Sequence, residues 1–245
     1  MTASTDQAPC CTVRCIVLCA LPFLIVGVLT AMYLIAPRFY LTYIIEEANR
    51  EHGAVEIVTF SSAILGGLLL LGAGWRLFGR EGRRLTPRSG AAIVGVVGLA
   101  GVFFAGEEVS WGQTWFKWKT PPAIREHTIE TNLHNTDIPV QAMGSVFIAG
   151  VFFGLPLAWR LRRGWLPERW GAAIPAAPEI TTVAVGFAWK EVKTVAKFFI
   201  AEEDRLTTPV WRDFLDQFNE HKEMLIAIGL LMYGVSRWRA LRSGG

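Results

Sequence analysis

The chain has 245 residues, 52% of them hydrophobic, with 24 Lys and Arg set against 21 Asp and Glu. A soluble domain of this length does not carry so much apolar surface, because its core stops growing while its exterior stays polar. A formal net charge of +3, with the basic residues in short clusters beside apolar runs, excludes the broad electrostatic footprint of a nucleic-acid binder.

Membrane spans explain the positive mean hydropathy of +0.35, since each span needs about 20 mostly apolar residues. Ten Trp suit a chain with many membrane–water boundaries. The lipid bilayer is therefore the first expected partner. Residues 1–14 form a short leading segment. Cys10, Cys11, Cys15 and Cys19 all fall near the start and read as reduced thiols, although one helical turn between Cys15 and Cys19 also permits a metal or a disulfide. The first span covers 15–36 and stops at Pro37. It exceeds the about 7–15 residues of a signal-peptide core and lacks a small-x-small cleavage site, so it reads as retained.

Further spans follow at 54–78, 90–108, 138–161, 181–200 and 219–236, making about six within one membrane domain over 15–239, with a tail at 240–245. The segment 181–200 carries Lys190, Glu191, Lys193 and Lys197, and reads either as a crossing or as an amphipathic helix lying on the surface. Gly95, Gly98, Gly101 and Ala105 form a small-residue face on the third span, and Gly66, Gly67, Gly72 and Gly74 offer similar close approach on the second.

Arginines set the handedness, because cytoplasmic connections collect Lys and Arg. Arg76, Arg80, Arg83, Arg84 and Arg88 follow the second span. Arg160, Arg162, Arg163 and Arg169 follow the fourth, and Arg237, Arg239 and Arg242 end the chain. Acids dominate the other side, with Glu46, Glu47 and Glu51 after the first span and Glu202, Glu203 and Asp204 after the fifth. The expected fold is an all-α polytopic transmembrane bundle of about six spans with both termini cytoplasmic, in the inner (plasma) membrane.

The chemistry-bearing stretch begins where the third span ends: Gly106-Glu107-Glu108-Val109-Ser110-Trp111-Gly112-Gln113. Two adjacent carboxylates there either mark the span's end in water or are drawn into a site with a cation, metal or proton. On a continuing helix Glu107 shares a face with Ser110 and Trp111, and Glu108 shares one with Gly112. The next connection carries Glu130-Thr131-Asn132-Leu133-His134-Asn135, an acid, an imidazole and two carboxamides before the fourth span; such groups serve as metal ligands and orienters, or as ordinary loop and cap residues. Glu51-His52-Gly53-Ala54-Val55-Glu56 and Glu220-His221-Lys222-Glu223 meet the same side, as do all four histidines, His52, His127, His134 and His221.

The pairing of residues 106–113 with 130–135 resembles a bacterial group of polytopic membrane proteins whose motifs read G-E-E-[IV]-S-W-G-Q and E-x-N-[LI]-H-N. The likeness covers roughly a third of the chain and implies no activity, cofactor or partner.

Three functions fit these residues. The first is a membrane-embedded enzyme acting on a lipid-linked or amphipathic substrate. Glu107, Glu108 and His134 are its candidate catalytic residues, Ser110, Gln113, Asn132 and Asn135 orient or bind substrate, and Glu56, Glu130 and His221 hold a divalent metal. The absence of H-E-x-x-H, G-x-S-x-G and Cys-based zinc patterns narrows the enzyme classes. The second is an ion- or proton-coupled transporter, for which no inverted repeat is found. The third is an accessory subunit held by other membrane subunits.

Overall fold

A computed structural model describes residues 12–45, 53–81, 89–116, 119–120, 122, 140–161, 171, 173–199 and 209–243. Among them every regular element is helical. Helix α1 is Thr12–Ile35, α2 is Ala54–Glu81 and α3 is Ser89–Glu108. Helix α4 is built from Val140–Ala149, a π turn at Gly150–Gly154, and Leu155–Leu161. Helices α5 and α6 are Ala177–Phe199 and Pro209–Ser243.

Among the described residues five segments are long and apolar enough to cross a bilayer: Val13–Ile35, Ala54–Gly79, Ser89–Glu108, Ala142–Leu161 and Gln217–Arg242. The chain is thus a multi-pass membrane protein. The fifth predicted segment does form a helix of 23 residues, packed against α1 on one side and α6 on the other. Its charged residues keep it out of the apolar set. The last span is longer than its apolar core suggests, because the charged stretch before Met224 continues the same 35-residue helix.

Local chemistry sets the boundaries. Pro37 disfavours helical dihedrals at the preceding residue, and Ala36 sits at φ −140°, ψ 65°, so α1 ends at Ile35. A short turn, Pro37–Phe39, then leads into a π-helical turn at Tyr40–Ile45 that buries Tyr40 completely. In α5, the Glu179 carboxylate accepts a hydrogen bond from the Ala176 N–H, satisfying a helix-start donor that would otherwise be orphaned.

Lipid tails are as apolar as leucine, so close packing rather than the hydrophobic effect holds such helices together. The α2–α3 seam is one such close contact: a Cβ built on Gly98 would lie 2.7 Å from the backbone nitrogen of Leu71, and one on Gly67 would lie 2.8 Å from that of Val102. Helix α6 packs on the other side of α2, and α5 then bridges α6 to α1. Leu70, Val94, Val97, Phe152, Val183 and Tyr233 bury their side chains where α2 to α6 meet. By contrast, α1 exposes Phe23, Leu24, Leu34 and Ile35, as a helix facing lipid does. Cys15 is disulfide-bonded, which corrects its reading as a reduced thiol. Cys19 is a free thiol.

Candidate functional site

Helix α3 does not continue through the motif as the sequence suggests. It ends at Glu108, and Ser110, Trp111 and Gly112 take φ of 46°, 55° and 79° in succession. Glycine adopts such dihedrals freely, whereas serine and tryptophan pay about 1–3 kcal/mol each. The turn is pinned by a hydrogen bond from the Gly112 N–H to the Val109 carbonyl, 2.7 Å. Its effect is to fold the Trp111 ring back along α3. The indole N–H donates to Glu107 Oε1 at 2.6 Å, and the ring meets Phe103 edge-on at 5.4 Å between centroids. Gly106 makes room, since a Cβ there would be 2.8 Å from the indole ring. Glu107 and Trp111 therefore pair as their spacing predicts, but through a left-handed turn instead of a helical face.

Glu107 is 3% exposed, so this bond holds a carboxylate away from water. Phenylalanine at Trp111 keeps the ring contacts and removes the donor. We expect Trp111→Phe to destabilise the protein by about 1.5–3 kcal/mol, the usual worth of a hydrogen bond to a charged group. In a Glu107→Gln background the same change should cost under about 1 kcal/mol. Thermal unfolding in detergent reads both, and an unchanged cost in the second background contradicts the pairing.

The two glutamates line a cleft of about 480 Å³ between α3, α4 and α6, a size typical of small-ligand sites. Helical spacing builds its walls. Val96, Leu99, Phe103 and Glu107 repeat along one stripe of α3, while Lys222, Ile226 and Leu230 repeat along α6; Gly144, Phe147 and Ile148 close it from α4. Leu99 and Phe103 are also exposed, so the cleft opens onto the lipid-facing surface. Apolar groups fill most of its length, and Glu107, Glu108, Lys222 and Glu223 gather at one end. There Lys222 Nζ pairs with Glu223 at 3.3 Å, and Lys222 is only 2% exposed. Glu56 and Glu220 lie within electrostatic reach of Glu108, as do Lys222 and Glu223.

His221 is placed differently from its predicted role. Its Nδ1 accepts from the Trp189 indole N–H at 3.2 Å, and its Nε2 bonds the Tyr40 hydroxyl. An indole N–H can only donate, so in the neutral ring the proton sits on Nε2 and is given to the phenol oxygen. Neither nitrogen then offers a lone pair to a metal. The ring instead ties α6 to α5 and to the turn after α1, and burial pushes the Tyr40 hydroxyl above its ordinary range, with nearby Glu220 adding to the shift.

The remaining candidates divide. Glu56 sits in the first turn of α2, beside the acids of the cleft but outside its lining. Ser110 is buried in the turn. Gln113 donates to Thr120 Oγ1 at 3.0 Å, tying down the chain beyond the turn. Glu130, Asn132, His134 and Asn135 lie outside the described residues. Among the described residues no three His, Cys, Asp or Glu side chains are arranged to hold a metal ion, and no step is derived through one. Lys222, Glu223 and Tyr40 join the site although none was a candidate from the sequence, where the first two stood only as neighbours of His221. The i, i+4, i+8 run from Lys222 to Leu230 was the available signal for the first.

Fold and site together define a multi-pass helical membrane protein with an amphipathic cleft. Comparison with protein-family models, with curated proteins and with solved structures finds no match to this chain.

Proposed function

We propose that this protein takes a long-chain amphiphile sideways from the bilayer into the cleft and acts on its polar head. One observation carries the reading: a single cleft joins an apolar passage open to lipid with a buried end bearing Glu107, Glu108, Lys222 and Glu223. The head it suits is a hydrogen-bond donor, such as an amine. Carboxylates only accept, and each has several acceptor positions, which suits the acids of the cleft to a donor head. Lys222 is paired with Glu223, which leaves the acids as the receiving groups. Glu108 is the proton-transfer group in this scheme and Glu107 the one that fixes the head, which makes the reaction general acid–base chemistry at an amphiphile headgroup.

Gly144 supplies the test. It lines the cleft, and a Cβ there meets nothing within 4 Å. Gly144→Trp should fill the passage, weaken hexadecylamine binding by roughly tenfold or more, and leave the unfolding temperature close to that of the parent. Unchanged binding by a stably folded Gly144→Trp protein would sink the proposal.

The same reading takes α5 as a sixth crossing, with both termini in the cytoplasm and the cleft's polar end facing outward across the inner membrane. At 1.5 Å per residue a helix of 23 residues reaches about 34 Å, enough for the hydrocarbon. A fluorescent-protein fusion after Ser243 should then fold and fluoresce in the cytoplasm. If a periplasmic reporter is active there instead, α5 does not cross.

A further inference from the structure

The opposite end of the bundle carries an arrangement that the cleft does not use. Trp238 of α6 lies against α2 at Gly72, where a Cβ would come within 2.9 Å of the indole ring. Two guanidinium groups from different helices converge on that ring. Arg76, one turn beyond Gly72 on α2, sits 4.0 Å from its centroid, and Arg242, one turn beyond Trp238 on α6, sits 5.4 Å away. The two guanidinium carbons are therefore no more than about 9.4 Å apart, although like charges repel at such range. Neither has a carboxylate partner among the described residues. Nearby, Arg237 lies 5.5 Å from the Tyr233 ring, and Arg239 is exposed.

Solvated surface arginines would diverge to escape one another. Here two of them stay beside one ring, whose π-system attracts cations, and the ring itself is fixed by its seat on Gly72. Attraction to a ring uses the charge of a guanidinium and not its fork of N–H donors, which suits phosphate. Both arginines are exposed, and Trp75, beside Arg76, is 80% exposed, which suits a ring at headgroup depth. The Arg76 end of α2 lies about 30 Å from its Glu56 end, so this is the far leaflet from the cleft's polar groups.

We propose that Arg76, Trp238 and Arg242 form a binding site for the phosphate of an anionic phospholipid in the leaflet at the arginine-bearing end of the bundle. The lipid's acyl chains would run along the exposed apolar surface beside Trp75, and its phosphate would relieve the repulsion between the two cations. Basic clusters next to spans attract anionic lipid; the ring-held pair makes that attraction local.

The test uses the full chain in nanodiscs of mixed phosphatidylglycerol and phosphatidylcholine, with bound lipid counted by native mass spectrometry after transfer to detergent. The parent should retain phosphatidylglycerol over phosphatidylcholine, and the double variant Arg76→Gln/Arg242→Gln should lose that preference by roughly tenfold or more. Arg160→Gln, an exposed arginine outside the cluster, should leave it intact. Trp238→Leu serves as a second variant: it keeps both charges but removes their platform, and should weaken retention. Equal retention of the two lipids by the parent, or equal loss in Arg160→Gln, overturns the proposal. Displacement of the lipid by millimolar inorganic phosphate overturns it in favour of a free-phosphate site.

Discussion

Alanine at Gly98 is expected to destabilise the protein by about 3 kcal/mol or more, whereas alanine at Gly95, three residues away on the same helix, is expected to be tolerated. The contrast follows from what each new Cβ would meet. At Gly98 the nearest atoms are the Leu71 nitrogen at 2.7 Å and the Gly67 carbonyl oxygen at 2.9 Å, both backbone. Backbone cannot rotate away as a side chain can, so α2 and α3 must separate along their whole seam. Separation forfeits the dispersion contacts that hold helices together in lipid, where no hydrophobic gain offsets the loss. At Gly95 a Cβ meets nothing within 4 Å, and alanine is the better helix former by about 1 kcal/mol. Thermal unfolding of the two variants in one detergent gives the comparison. Equal behaviour would show that the seam is not packed backbone to backbone.

The second large effect is expected at Lys222. This side chain is 2% exposed and its ammonium lies 3.3 Å from the Glu223 carboxylate. Methionine there preserves much of the stem's packing and removes the charge, leaving Glu223 and Glu108 at a buried end without the cation that faces them. Breaking a buried pair from one side costs about 3–5 kcal/mol, because the abandoned charge keeps its desolvation penalty. Lys222→Met should therefore unfold at distinctly lower temperature. Adding Glu223→Gln should recover more than half of the loss, since the pair is then removed from both sides. A single variant within about 1 kcal/mol of the parent would mean that the pair is solvated and that the cleft has no closed polar end.

These two positions also mark where sequence reasoning reached and where it stopped. Gly98 was legible, because small residues recurring at helical spacing in an apolar run announce a close helix contact. The all-helical, apolar character of the chain was legible for the same reason: apolar length is a one-dimensional signal. The end of α3 was not. Nothing in Val109-Ser110-Trp111 forbids a helix, and only Gly112 takes positive φ without strain. The turn is held from outside, by Glu107 and the space over Gly106, so it appears only when the chain is folded. The partners of His221 were hidden for a related reason. Beside acids it reads as a metal ligand, while the groups that engage its nitrogens, Trp189 and Tyr40, lie 32 and 181 residues away. The ion pair of Lys222 and Glu223 joins sequence neighbours, which on a helix do not ordinarily face each other, and its burial depends on α3 and α4 closing around it.

The acids at the end of α3 were the reason to expect chemistry, and the cleft gives them a setting. Its walls are apolar where lipid would enter and acidic where a head would come to rest. Placing Glu107 under a strained tryptophan turn is costly, and strain of this kind concentrates at functional sites. Such a function requires that an amphiphile enter between α3, α4 and α6. The most direct measurement is photocrosslinking of the protein in proteoliposomes with a hexadecylamine carrying a diazirine on its chain, mapped by mass spectrometry. Labelling should concentrate on Phe103, Phe147, Ile148 and Ile226, and excess hexadecylamine should compete it away while hexadecanoate does not. Labelling spread evenly over outward-facing residues such as Phe23, Leu24 and Phe198, with no competition, would contradict it.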